Sequence, residues 1–209
     1  MRSILVAPFF FRLEVFMLTP TTELDAINAM LSTIGEAPVN TVEDNGIVDA
    51  VIARQILRAT SREVQARGWH FNTEKNFPLT PDDQGHLMLP STVLRCDTVG
   101  LDADVDVVVR GNRLYDRRKH TFKFSKGLKV DLVVLLSFDE LPEAARNYIT
   151  VRSSRIFQER LVGSESLSRF NTQDELRAKV VLEDYEAETA DYNMLTDSYS
   201  VARILNRLP

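Results

Sequence analysis

Three carboxylates, Asp139, Glu140 and Glu143, fall within five residues where a strand-like run meets a helical one. Glycoside hydrolysis needs two carboxyl groups on opposite sides of a sugar at a defined separation. Glu140 or Glu143 is therefore the candidate acid of a glycan or peptidoglycan hydrolase. Acidic residues are also favoured at a helix N-terminus, where unpaired backbone N–H groups attract negative charge, and helix capping accounts for the cluster without any reaction. The histidines His70, His86 and His120 are scattered and lack a paired helical spacing, so no metal site is expected. Cys96 is the only cysteine, which excludes an internal disulfide and a cysteine-cluster zinc site. It lies in a strand-like run with no histidine nearby in sequence to activate it, and reads as a small buried apolar residue. No Gly-x-Ser-x-Gly elbow and no phosphate-binding or dinucleotide glycine loop is present, so no cofactor is expected.

The other chemically distinctive feature is basic. Arg110, Arg113, Arg117, Arg118, Lys119, Lys123, Lys126 and Lys129 crowd together in a chain whose net charge is −5. Such a patch suits an acidic protein surface or the phosphates of DNA, and a solvated hairpin face is the plain alternative. A DNA-binding reading predicts salt-sensitive duplex binding through Arg117 and Arg118. No aromatic interleaving is read beside the patch, which argues against single-strand stacking. The segment "EDYEAETAD" supplies an acidic surface in the same chain, so a self-associating protein could join the two head to tail, a contact that closes as a ring.

These residues must be held by elements that the pattern discloses. The length of 209 residues and a 44% hydrophobic, 26% charged composition suit one domain, or one domain with an inserted lobe. Residues 1–16 contain Arg2 and the apolar run Ile4–Phe11, but Pro8, Arg12 and Glu14 interrupt it. The run is too short to span a membrane and has no small-residue cleavage site. It is read as an N-terminal extension, disordered or docked on a neighbour, with Phe9, Phe10 and Phe11 favouring docking. Met17 is a second candidate start.

Residues 17–68 read as a helical hairpin. Thr22 with Asp25 forms a capping box, Leu24, Ile27, Leu31 and Ile34 face one way, and Gly35 ends the first helix. Pro38 and Asn45-Gly46 break the loop that follows. The second helix runs from Val48 to Arg67 on a stripe of Ala53, Ile56, Leu57, Thr60 and Val64, and Gly68 ends it. Residues 69–138 favour strands: "WHF", "HLMLP", "TVLRCDTV", "VDVVVRGNRLYD", "TFKFS" and "LKVDLVVLLSF". Gly111-Asn112 is a two-residue hairpin turn and Lys126-Gly127 another. Trp69 and Phe71 are expected on one face of the first strand, with His70 opposite.

Residues 139–197 hold a helical pair. One helix runs from Asp139 to about Val162, with Pro142 in its first turn and Ala145, Tyr148, Ile149, Ile156 and Phe157 on one side. The other runs from Ser166 to Tyr192 on a stripe of Ala178, Val181, Leu182, Tyr185 and Tyr192. Residues 198–209 form a short amphipathic tail. The expected fold is α+β: a four-helix bundle from the N- and C-terminal parts with an inserted small antiparallel sheet.

The segments "ELDAINAMLSTIGEAPVNTVE", "ARGWHFN", "RGNRLYDR", "FDELPEAARNYI" and "DYNML" occur in an order and spacing that resembles the tail tubular protein A family of short-tailed podophages. The likeness spans most of residues 20–196. The resemblance implies a non-enzymatic virion protein: a dodecameric ring between the portal protein and the tail nozzle protein, through which double-stranded DNA passes, with no membrane role. It places the protein at the portal vertex of the tail, after synthesis in the host cytoplasm. Carried over by region, the C-terminal tail becomes the portal-docking segment, with Val201, Arg203, Ile204, Leu205 and Arg207 as contacts. Arg110, Arg113, Arg117, Arg118 and Lys119 become contacts with the nozzle or with a neighbouring subunit.

Overall fold

The computed structural model describes residues 20–41, 43, 47–163 and 165–190. The N-terminal extension, the Asn45-Gly46 pair, Tyr192 and the five residues expected to meet the portal, Val201, Arg203, Ile204, Leu205 and Arg207, lie outside the described residues.

The first helix, α1 (Glu23–Ser32), starts where the capping box was expected. Asp25 N–H donates to Thr22 Oγ1 at 3.1 Å, and Thr22 N–H donates to Asp25 Oδ2 at 3.0 Å. In α2 (Val48–Gln65) every member of the expected stripe is buried: Ala53, Ile56, Leu57, Thr60 and Val64. The helix then leaves through Gly68, whose φ of +78° is the left-handed conformation that side chains resist.

Two helices follow the strands, and each differs from expectation in one respect. The sequence predicts a helix from Asp139, but Phe138–Glu140 form a separate 3-10 turn and α3 spans Glu143–Leu161. The cause is Pro142, which disfavours helical geometry at the residue before it. Leu141 is accordingly extended (φ −74°, ψ 148°), and Pro142 caps the helix instead of lying in its first turn. In α4 (Glu165–Thr189) Ala178 and Leu182 are buried and Tyr185 half-buried, whereas Val181 is exposed. Val181 lies one residue, about 100°, round the helix from Leu182, and it is the Leu182 side that turns inward.

The helices pack α1 on α2, α1 and α2 on α3, and α3 on α4. One hydrophobic cluster joins all four, from Ile27 and Met30 through Leu57 and Ile149 to Leu182.

The strands form two small sheets where the sequence reading expects one. β1 (Thr73–Leu79), β5 (Leu128–Val134) and β2 (Val93–Thr98) pair antiparallel in the order β1-β5-β2, while β3 (Val107–Arg110) and β4 (Arg113–Asp116) form a hairpin. The Gly111-Asn112 turn is where it was expected. The runs "HLMLP" and "TFKFS" contribute only isolated bridges, His86–Lys123, Met88–Arg113 and Asp116–Thr121. Asp82 shapes the first of them into a loop, because its Oδ1 accepts from both Gln84 and His86 N–H. Alternate residues still point inward, and Leu87 and Leu89 join a second hydrophobic cluster with Leu114, Val130 and Leu132.

Trp69 belongs to the helical cluster, at the point where the chain leaves α2 for the strands. The sequence reading puts Trp69–Phe71 in the first strand, but residues His70–Asn72 form a 3-10 turn and β1 begins at Thr73. The buried Asn72 side chain forces the turn: Oδ1 accepts from Trp69 N–H at 2.8 Å, while Nδ2 donates to the carbonyls of Gln65 and Val134. The anchoring role nonetheless stands, for Trp69 is buried in the helical cluster and Phe71 packs against it.

Candidate functional site

The carboxylate cluster is engaged in folding. Glu140 Oε2 accepts from Ser137 N–H at 2.9 Å and from its hydroxyl at 2.8 Å. The Ser137 hydroxyl, then its N–H, hold the Glu140 carboxyl below its ordinary pKa, whereas a general acid for glycoside hydrolysis needs a raised one. Glu143 accepts from the N–H and hydroxyl of Thr21, and the Asp139 carbonyl accepts from Arg146. Glu143 thus fastens the start of α3 to the chain entering α1, whereas Glu140 and the Asp139 carbonyl secure the turn that precedes the helix.

Cys96 is buried, and its pKa is pushed up to about 12 by that burial and by the neighbouring charges of Asp97 and Asp131. The thiolate needed for reaction is therefore scarce. Among the described residues no group of three or more His, Cys, Asp or Glu side chains could hold a metal ion. Among them, too, no helix is long and apolar enough to cross a membrane.

Among the described residues four carboxylates share a depressed pKa. Asp25 is held down by the Thr22 hydroxyl, Asp82 by the His86 N–H, Asp102 by the Lys126 ammonium at 2.6 Å, and Glu140 by Ser137. Their folded pKa lies below the unfolded value, so each stabilises the fold above the unfolded pKa of about 4. That contribution disappears as pH falls through the folded values. Thermal melts should show no dependence on these groups between about pH 5 and 7, then a falling melting temperature below about pH 4. A melting temperature that rises on acidification would contradict the assignment.

The basic run divides into two groups. Arg110 and Arg113 flank the Gly111-Asn112 turn. Arg117, Arg118 and Lys119 lie at the other end of the hairpin, in a tight loop closed by Asp116, whose Oδ1 accepts from the N–H groups of Arg118 and Lys119. Two four-residue strands hold the groups about 13 Å apart. Arg117 is matched by Asp106 at 3.4 Å and Lys126 by Asp102.

Strand alternation gives the hairpin an inner and an outer face. Val107, Val109, Leu114 and Asp116 point to the second core. Val108, Arg110, Arg113 and Tyr115 point out. There the expected lack of interleaved aromatics is overturned. The Arg110 guanidinium lies 3.8 Å from the Tyr115 ring centroid and that of Arg113 lies 4.6 Å from Phe122. The two rings meet edge to face at 4.9 Å. The signal was present in "RGNRLYD": across a two-residue turn, register puts Arg110, Arg113 and Tyr115 on one side. Phe122 arrives from the next bridge and carried no such signal.

Also missed was the network that fixes α4. Arg152 reaches Glu63 at 2.6 Å and Glu175 at 3.3 Å, and Arg155 pairs with Glu175 and, at 2.8 Å, with Glu159. Glu186 receives the His70 N–H. These contacts hold one side of α4 inward and leave Leu176, Val180, Val181, Asp184 and Glu188 exposed on the other. An acidic face was expected on this helix, and its apolar members were not.

The arrangement holds two preformed surfaces, one cationic and aromatic, the other acidic and apolar, and no catalytic constellation among the described residues. Residues 24–192 match the family model described as tail tubular protein. The chain is also similar to tail tubular protein A of Klebsiella phage KP34, 27% identical over 164 residues that cover 78% of this chain and 86% of that protein.

Proposed function

Because the chain belongs to the tail tubular protein family, structural and non-enzymatic components of the phage virion tail, we propose that it is the adaptor joining the portal protein to the nozzle protein. In this reading identical copies form a dodecameric ring at the portal vertex, and the genome leaves through its channel. The four helices act as a bundle, with residues 17–68 and 139–197 as its halves and residues 69–138 as the sheet lobe. Residues 198–209 dock on the portal through Val201, Arg203, Ile204, Leu205 and Arg207. Arg110, Arg113, Arg117, Arg118 and Lys119 meet the nozzle or a neighbouring subunit. The protein is made in the host cytoplasm before it enters the virion.

The observation that carries this reading is the segregation of unlike surfaces around a buried frame. Residues 107–129 hold eight basic side chains against one carboxylate, Asp116, which caps its own loop. Residues 173–190 hold six acidic side chains against two basic ones. Unlike patches on one chain make a heterologous contact, which generates rings when its rotation closes.

Mixing the protein with its cognate portal and nozzle proteins, followed by electron microscopy, tests the proposal. A ring seated between the two is expected. Failure to co-assemble with either partner would count decisively against an adaptor.

A further inference from the structure

The outer face of the β3–β4 hairpin is built to hold carboxylates. A guanidinium stacked on an aromatic ring keeps its N–H edges free for hydrogen bonding, and its rotamer is already ordered. Arg110 and Arg113 are both held this way, on Tyr115 and Phe122. Neither has an ion pair among the described residues. Buried arginine, tyrosine and phenylalanine are the side chains that dominate protein interfaces, and here Val108, Arg113, Tyr115 and Phe122 remain half-exposed on one small face.

The counterpart lies on the same chain. Along α4, Leu176, Val180, Asp184 and Glu188 follow at intervals of four and so share one row. Leu176 is 62% exposed, Val180 47% and the flanking Val181 52%. Lys179 and Arg177 are matched by Glu183 and Asp174, whereas Asp184 and Glu188 have no ion-pair partner among the described residues. The row is about 18 Å long and the hairpin strands about 13 Å, so the two faces are of similar length. Each combines apolar surface with unmatched charge, and the charges are opposite.

We propose that in the assembled ring the outer face of the β3–β4 hairpin of one copy seats on the outward row of α4 of the next, with Arg110 and Arg113 holding Asp184 and Glu188. The contact rests on the ring reading above and names its subunit interface. A second copy fits this face better than duplex DNA does. Phosphates would match the two arginines but would leave Tyr115, Phe122 and Val108 without an apolar partner, and would leave the α4 row uncovered. The same contact repeated around a closed ring covers both faces of every subunit.

Two charge-reversed proteins test the pairing. One carries Arg110→Glu and Arg113→Glu, the other Asp184→Arg and Glu188→Arg. Each alone brings like charges together and should fail to form rings by mass photometry and negative-stain microscopy. Thermal melts check that each is folded; if Arg113→Glu prevents folding, Arg110→Glu alone serves. Mixed in equal amounts, the two should form rings again, because alternating copies restore opposite charges at every interface and an even-numbered ring closes. Rings that persist in both separate variants overturn the contact, as does a mixture that stays unassembled. Rings that persist while the hairpin variant loses duplex binding reassign the face to nucleic acid, and overturn it too. A wild-type chain that never forms rings, with or without portal, overturns the ring reading and this contact with it.

Discussion

Trp69→Ala should destabilise the protein by about 3–5 kcal/mol, the usual cost of deleting a buried tryptophan side chain. For a chain of this size that lowers the melting temperature by roughly 10 °C, measurable by circular dichroism since the variant has no tryptophan left to report by fluorescence. The ring is only 6% exposed. Its Nε1 donates to the Val64 carbonyl at 2.8 Å, in the last turn of α2, and its face stacks parallel to Phe71 at a centroid distance of 6.3 Å. Arg67 covers it from outside, 5.3 Å from the ring centroid. Alanine would leave a cavity in the helical cluster and the Val64 carbonyl with only the long bond from Arg67 N–H at 3.4 Å. Trp69→Phe isolates the second loss, because it keeps much of the ring volume and removes only the Nε1 bond, a change of about 1 kcal/mol. A near-native melting temperature for Trp69→Ala would mean that the side chain meets a partner and does not support the fold.

The reason for this sensitivity lies in how the two clusters are joined. Gln65, fully buried, donates from Nε2 to Ser61 Oγ and the Leu136 carbonyl, and accepts at Oε1 from Leu136 N–H. Asn72 repeats the device one turn on, reaching Gln65 and Val134. Polar side chains thus satisfy backbone groups where neither helix nor ladder does. Trp69 fills the apolar space beside them.

Periodicity made the helices legible. The α2 stripe and the Thr22–Asp25 cap needed nothing beyond local spacing, and both are as the sequence predicts. The hairpin around Gly111-Asn112 was legible for the same reason, since turn chemistry and strand register are local. What spacing could not supply were contacts between distant segments. "WHF" alternates like a strand, yet a bond from Asn72 to Val134 bends it into a turn. "HLMLP" alternates as well, but Asp82 draws it into a loop. Val181 belongs to an apolar run, and it faces outward because Ala178 and Leu182 enter the core on the side where Glu175 pairs with Arg152 and Arg155. At the candidate interface the charges were readable as composition. The stacking of Arg113 on Phe122 was not, because it needs a bridge that the sequence does not announce.

Arg146→Leu is expected to be as damaging as the loss of Trp69, about 3–5 kcal/mol, because it orphans three carbonyls at about 1–3 kcal/mol each, less than additively. Arg146 is only 9% exposed and faces no carboxylate among the described residues. Its guanidinium instead serves three backbone carbonyls: Nε donates to Leu141 at 2.7 Å, and the two terminal nitrogens to Thr21 at 2.8 Å and Asp139 at 2.5 Å. Those carbonyls belong to the segment entering α1 and to the turn and linker that precede α3. Hydrogen bonds from a charged donor are worth about 1.5–3 kcal/mol each, but three on one rigid fork are not additive. Leucine restores apolar volume and leaves all three acceptors unpaired, so burial cannot compensate. Lysine keeps the charge but cannot span three divergent acceptors, and Arg146→Lys should recover less than half of the lost melting temperature. Glu143 binds Thr21 from the other side, so a double-mutant cycle between Glu143→Ala and Arg146→Leu should show a coupling above about 0.5 kcal/mol. Strict additivity would mean that Thr21 is held by each residue independently, and that the entry to α1 is not one cooperative joint.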